Sequence, residues 1–201
     1  MEAIITADLI NSRAIAPDVW LPVLKKTLQS MGEEYQQWEV FRGDSLQILV
    51  SPKQALYCAI LLKATIKQIP NLDIRIAVGI GEIGYKAEKL TASNGSAFIY
   101  SGEAFDGLGK NTLAIKTPWK DFDETINLLL SLATLTMNDW KPTMAEVFKK
   151  QWETPEAKQI EIAEALGKKQ SNVSYSLKKA GYEEILHAEH YYQQEIEKLC
   201  Y

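Results

Sequence analysis

A chain of 201 residues, 46% of them apolar and 24% charged, with a formal net charge of −4, can bury a hydrophobic core and remain soluble. Those proportions exclude disordered, collagen-like and fibrous classes. At this length about 70% of the unfolded surface can be buried on folding, which leaves room for one large domain or two small ones.

In chain order, Ala3–Ala7 is a short apolar β run, and Val19–Gln37 carries Val19, Leu21, Val23, Leu24, Leu28 and Met31 at helical spacing. Trp38–Arg42 and Leu46–Val50 are two short strands separated by Gly43-Asp44-Ser45, a hairpin signal. Pro52 suits a helix start, and Gln54–Gln68 aligns Ala55, Cys58, Ala59, Leu62 and Ile66. Asp73–Ile80 alternates as a strand, Glu82–Ser96 reads as a polar loop, Gly102–Leu108 as a short helix and Thr112–Thr117 as a last strand. The order β-α-β-β-α-β predicts an α+β fold, a ferredoxin-like or palm-type antiparallel sheet with helices on one face. Beyond Asp121 no strand pattern appears. Phe122–Trp140 is an apolar helix with Ile126, Leu129, Leu130, Ala133 and Met137 recurring, and Pro142 and Pro155 punctuate the helices that follow. The predicted organisation is a sheet domain over residues 1–120, a connector helix over 121–140 and a helical domain over 141–201.

Two cysteines, Cys58 and Cys200, make neither a disulfide framework nor a metal-ligand spacing. Glu2 and Asp8 deny the N-terminal stretch the basic start and long apolar run of a signal peptide, and no run reaches the roughly 18 apolar residues of a membrane span. The expectation is a cytoplasmic protein with no membrane partner.

Charge is unevenly placed. Residues 1–140 hold 13 Lys and Arg against 16 Asp and Glu, for −3; residues 141–181 hold 8 against 5, for +3; residues 182–201 hold 1 against 5, for −4. The basic block concentrates in Lys168, Lys169, Lys178 and Lys179, with no acid between Gly167 and Gly181. A solvated helix face explains four lysines on charge alone.

Asp8 follows the first strand and Asp44 sits in the hairpin turn. In the predicted sheet the first and third strands are neighbours, so both carboxylates reach one edge. Such a pair either supplies hard oxygen ligands for Mg²⁺, completed by water and phosphate, or consists of two turn-forming aspartates. The pattern of Asp8, Arg42-Gly43-Asp44-Ser45-Leu46-Gln47 and Arg75-Ile76-Ala77-Val78-Gly79-Ile80-Gly81-Glu82-Ile83 resembles the class III nucleotidyl cyclase and diguanylate cyclase fold. More narrowly, Ile5-Thr6-Ala7-Asp8-Leu9-Ile10-Asn11-Ser12-Arg13 and Gly43-Asp44 followed by Gln47 resemble the SatD family, which pairs such a domain with a C-terminal helix-turn-helix.

The resemblance implies that Asp8, the Leu9 carbonyl and Asp44 hold Mg²⁺ or Mn²⁺, and that Ile10, Asn11, Ser12 and Arg13 line a nucleotide's phosphates. Two metals there would activate a ribose hydroxyl and neutralise the leaving pyrophosphate. The sequence departs from the cyclase pattern at Phe98, Ile99 and Gly102, where a transition-state Asn and Arg are expected, and at Ser45, where diguanylate cyclases carry a metal-binding Glu. Losing a cationic clamp costs several kcal/mol of transition-state stabilisation. Arg13 or Arg42 is left to substitute from another direction. Arg75 reads as solvent-facing or ion-paired, and Glu82 as the end of its strand.

Glu156–Ala165 and Gln170–Ala180 form two short helices broken at Gly167. The run from Gln159 to Ser174 resembles the bacterial helix-turn-helix: Ala163 is small where helices cross, Gly167 permits the turn, and Val173 locks the second helix. Facing outward with Lys168 are Lys169, Gln170, Ser171, Asn172, Ser174, Tyr175 and Lys178, suited to base edges and phosphates of double-stranded DNA. A helical bundle using the same turn for protein contacts is the alternative. Four lysines give modest, salt-dependent affinity, so specificity calls for a homodimer reading two half-sites. Tyr182–Tyr201 continues as an acidic helix that packs on this unit or on a second subunit, and His187 and His190 read as surface residues.

These observations predict a DNA-binding transcriptional regulator with a nucleotide-sensing or dimerising, catalytically degenerate cyclase-like domain. The competing expectation is a metal-dependent nucleotidyl cyclase or nucleotidyltransferase with a helix-turn-helix targeting module.

Overall fold

The alternating run at the N-terminus forms the central strand of a five-stranded sheet. In the computed structural model, which describes residues 1–200, β1 (Glu2–Ile10) sends Ala3, Ile5, Ala7 and Leu9 into the main core and Ile4 into a second, smaller one. Thr6 and Asp8 share the side of Ile4 by alternation. β2 (Trp38–Phe41) and β3 (Ser45–Val50) form the predicted hairpin through Arg42 and Gly43, at φ +51° and +93°. β1 pairs antiparallel with β3 on one side and with β4 (Asp73–Gly81) on the other. The order is β2-β3-β1-β4-β5, where β5 is Leu113–Lys116.

Four expectations need correction. The sheet is mixed, because β5 runs parallel to β4. The connection between these strands is a crossover through α3 (Ser96–Asp106), which carries the chain back to the end from which β4 started. Helices also cover both faces. α1 (Pro17–Gln29) and α2 (Ala55–Ile66) pack with the main core, whereas α3 lies on the other side, where Ala97 joins Ile4 and Leu90 and the Thr6 hydroxyl donates to Ser101 Oγ at 3.0 Å. Glycines on β4 permit this: a Cβ at Gly79 would stand 2.2 Å from both the Ala97 carbonyl oxygen and the Ser101 nitrogen. α3 also begins earlier than Gly102, and α1 stops before Gln37, with Gly32 taking φ +150° just beyond it.

The rest of the chain is helical: α4 (Lys120–Met137), α5 (Pro142–Glu153), α6 (Gln159–Ala165), α7 (Gln170–Ala180) and α8 (Tyr182–Cys200). Tyr201, the end of the predicted tail helix, lies outside the described residues. The Asn127 side chain on α4 caps the outer edge of β5, accepting from the Ile115 N–H at 2.8 Å and donating to the Ile115 carbonyl at 2.7 Å, so that edge is covered. The main core is continuous from the sheet into α5, α7 and α8. α2 is the shared element, since every residue of it except Tyr57 is buried. Trp152 of α5 stacks on Tyr57 at 5.7 Å and donates its indole N–H to the Tyr57 carbonyl, while Phe148, Trp140 and Tyr182 extend the aromatic cluster. From α8, Tyr192 Oη donates to the Pro52 carbonyl and Gln193 Nε2 to that of Lys53 at 2.6 Å, so the tail helix closes over the start of α2.

Inside α2 lies Lys63, 1% exposed. Its ammonium meets Asp73 at 2.6 Å, Asn138 Oδ1 at 2.8 Å and Thr112 Oγ1 at 3.1 Å, joining α2 to the start of β4, the start of β5 and the end of α4. Lys67 adds a second cation to Asp73 at 3.3 Å and reaches the Asn138 carbonyl at 2.5 Å. Burial pulls the Lys63 pKa down to about 8, against the opposing pull of Asp73. The folded pKa is therefore below the unfolded 10.5, and between these values the unfolded chain retains a proton the folded chain has shed, so this lysine's contribution to stability rises with pH.

Two stability predictions follow from this packing. Lys63→Met lowers the unfolding free energy by about 3 kcal/mol near neutral pH, and its deficit relative to wild type widens as pH rises from 8 towards 10.5, by up to ~3 kcal/mol in urea unfolding. Gly79→Ala costs at least about 2 kcal/mol in the same assay, because the added methyl meets α3 backbone that has to move away from the sheet.

Candidate functional site

Sheet register brings the predicted carboxylates to one end of the sheet. Asp8 lies opposite Ser45 on β3 and opposite Arg75 on β4. Ser45 Oγ donates to Asp8 Oδ1 at 3.0 Å, and Arg75 Nη2 lies 3.4 Å from Oδ2. The Arg75 guanidinium also sits over the Phe105 ring of α3, 5.0 Å from its centroid, so it is held from both sides. Asp44, next to Ser45 in the turn, accepts a short hydrogen bond from the Ser12 hydroxyl, and its backbone carbonyl accepts from the Leu9 N–H at 3.3 Å. Each carboxylate thus has its own protein partner. Among the described residues there is no group of three or more His, Cys, Asp and Glu able to hold a metal ion. Both carboxylates keep lone pairs beside these contacts, so a divalent cation at this donor set would share Asp8 with Ser45 and Arg75 and Asp44 with Ser12.

The phosphate-lining candidates surround that end. Ile10 closes β1, Asn11 takes a left-handed φ of +67° and donates from Nδ2 to the Asn71 carbonyl at 3.1 Å, and Ser12 and Arg13 form a 3₁₀ turn before α1. Asn71 is also left-handed, at φ +65°. Arg13 and Arg42 are exposed. A cavity of about 380 Å³ runs from Ile10 and Asn11 past Lys67 and Asn71 to Asn138 and Lys141 at the junction of α4 and α5, and neither arginine lines it. Arg75 is the residue whose importance the sequence understates; once β1 and β4 are known to pair, its register opposite Asp8 reveals it.

The second candidate surface is α7. The α6 helix ends in a Schellman turn: Gly167 takes φ +61°, the Lys168 N–H reaches the Ala163 carbonyl at 2.8 Å, and the Gly167 N–H reaches that of Glu164 at 3.2 Å. Ala163 is buried at this crossing, and Val173, Leu177 and Ala180 are buried along the inner side of α7. Trp140 donates its indole N–H to the Ala180 carbonyl at 3.0 Å, fixing the far end of the helix. Lys169, Gln170, Ser171, Asn172 and Tyr175 are exposed at the N-terminal end, Tyr175 by 63%, and Ser174 is half-buried. Gln170 Nε2 donates to Gln159 Oε1 at 3.1 Å, a link between the two helices. Lys168 is paired with Glu146 of α5 at 2.8 Å, so part of its charge is spent within the molecule. Lys178 is exposed but lies at the opposite end of α7, beside α4 and α8. His187 and His190 are exposed on α8. No helix among the described residues is long and apolar enough to cross a membrane.

A mixed five-stranded α+β sheet continuous with a C-terminal helical bundle defines the class of protein. The SatD family model matches residues 2–194, and the chain belongs to the SatD family. Comparison with curated proteins and with solved structures finds no match.

The Asp8–Arg75 contact is testable by a double-mutant cycle. Asp8→Asn and Arg75→Ala each lower stability by about 1 kcal/mol, and urea unfolding of the double variant reveals a coupling of roughly 0.5–1 kcal/mol, as expected for a half-exposed pair. Additive losses would show that the pair is not formed in solution.

Proposed function

We propose that this protein is a DNA-binding transcriptional regulator in which α6 and α7 act as a helix-turn-helix and α7 enters the major groove of double-stranded DNA. The observation that carries this reading is the N-terminal end of α7: Lys169, Gln170, Ser171, Asn172 and Tyr175 are presented together on a helix whose opposite side is locked into the core. Hydrogen-bonding side chains there suit base edges, and Lys169 suits a phosphate. Lys168 contributes after leaving Glu146, or positions the turn while paired to it.

The sheet is read as a ferredoxin-like, cyclase-type domain that senses a nucleotide without turning it over. Arg13 and Arg42 supply cations for its phosphates, and the Asn11 cavity leads from that end to the α4–α5 junction, giving bound ligand a route to the helices. Arg75 already neutralises Asp8, and Phe98, Ile99 and Gly102 supply no cationic clamp, so no catalytic step is assigned. The alternative of a metal-dependent nucleotidyl cyclase or nucleotidyltransferase is favoured by the adjoining register of Asp8 and Asp44. In that reading Asp8, the Leu9 carbonyl and Asp44 would hold Mg²⁺ or Mn²⁺.

Fluorescence anisotropy with a labelled duplex from the protein's own promoter tests the first reading. Binding weakens on the order of tenfold or more between about 50 and 200 mM salt, and Lys169→Glu with Asn172→Ala abolishes it. Absence of a salt-sensitive signal, or a double variant that binds like wild type, overturns the proposal. Incubation with each nucleoside triphosphate and Mg²⁺ or Mn²⁺, followed by mass spectrometry, separates the readings: a product that requires both Asp8 and Asp44 establishes the enzyme.

A further inference from the structure

The exposed apolar side chains of α4 form a ridge. Leu128, Leu132 and Leu135 are 63%, 57% and 70% exposed, and their spacing of four and then three residues aligns them along one side of the helix. The buried side of the same helix carries Phe122, Ile126, Leu130, Thr134 and Met137, so this ridge is additional to what α4 needs for its own docking. Beside the ridge runs a groove of about 500 Å³ between α4 and the α7–α8 corner, floored by Ala133, Thr136, Gly181 and Ala188. A row of leucines beside a groove that Leu129 and Ile185 also line costs free energy while it stays in water.

We propose that this face is the two-fold interface of a homodimer, with the α4 helices of two copies packed antiparallel. Ridge and groove lie side by side on one surface, so a two-fold axis near Leu132 seats the leucines of each copy in the groove of the other, as an isologous contact requires. Charge selects the same arrangement. Asp121 and Glu124 outweigh Lys120 at the N-terminal end of α4, while Lys178 and Lys179 outweigh Glu184 on the lining of the groove beside Thr136 near its C-terminal end. Antiparallel pairing brings the acidic end of one copy to the lysines of the other, and parallel pairing would place like charges together. The dimer deepens the DNA-binding reading and rests on it for its biological use, because it supplies a second α7 for a second half-site. The N-terminal end of α7, from Lys169 to Tyr175, stays clear of the groove.

The oligomeric state is measured on the full chain without DNA, which keeps this proposal separable from the DNA-binding one. Sedimentation equilibrium from about 1 to about 100 µM is expected to show wild type at twice 22.6 kDa, and Leu132→Glu to raise the dissociation constant at least ~100-fold while leaving the circular dichroism spectrum unchanged. Glu124→Lys is expected to weaken the dimer by roughly tenfold at low salt, and adding Lys179→Glu to restore it. Should Leu132→Glu fail to fold, Leu132→Cys in a Cys200→Ser background decides: oxidation gives a covalent dimer if Leu132 lies near the axis. A wild type that stays monomeric at the highest concentration, a folded Leu132→Glu that stays dimeric, or a Leu132→Cys that does not cross-link overturns the proposal. A monomer that nevertheless binds promoter DNA overturns the dimer alone and leaves the DNA-binding reading standing.

Discussion

The architecture depends on a lysine buried in an otherwise apolar helix. α2 touches the sheet on one side and the C-terminal helices on the other, and it has no solvent face on which to place a charge. Lys63 is accommodated because Asp73, Thr112 and Asn138 converge on it from three separate segments. Desolvating an ammonium is costly, so the arrangement holds only while all three segments are in place. Position and registry are thereby specified together: the start of β4, the approach to β5 and the turn out of α4 cannot shift independently. The helices that follow inherit that placement, and the Trp140, Phe148, Trp152 and Tyr182 cluster fills the space it creates.

The sheet end and the helical bundle are physically connected through this network. Asn138 shares it with Lys67, and both border the cavity that opens beside Asn11. The cavity at the turn after β1 therefore reaches the α4–α5 junction, from which the chain continues to α6 and α7. The two left-handed asparagines, Asn11 and Asn71, are linked to each other at this point, and non-glycine residues in that conformation are tolerated where surrounding structure determines them. Asp8 and Asp44 are drawn into the protein's own hydrogen bonding at the same end. Arg75, braced on Phe105, brings positive charge against Asp8.

Much of this was legible from periodicity. The strands around Ile5, Ile48 and Ile76, the hairpin at Gly43, and the break at Gly167 follow from local rules that the structure obeys. The sense of β5 did not, because Leu113–Lys116 is too short to carry a directional signal and its parallel pairing depends on where α3 returns the chain. The second covered face was hidden for a related reason: Gly79 and Gly81 look like weak strand residues until a helix is seen pressed against them. At the candidate site, Asp8 and Asp44 could be placed at one edge by topology, whereas Arg75 and Ser45 acquire meaning only from cross-strand register. Lys63 stands out in an apolar helix, yet its partners lie up to 75 positions away and no local pattern announces them.

In the proposed function α7 reads DNA while the sheet provides the scaffold that positions it. Amide hydrogen exchange on the full chain, free and mixed with promoter duplex, tests it most directly. The account predicts protection on DNA binding concentrated from Lys169 to Tyr175, with the buried amides of α2 unchanged. Protection confined to the sheet end around Asn11 and Asp44, or no DNA-dependent change in α7, would contradict it.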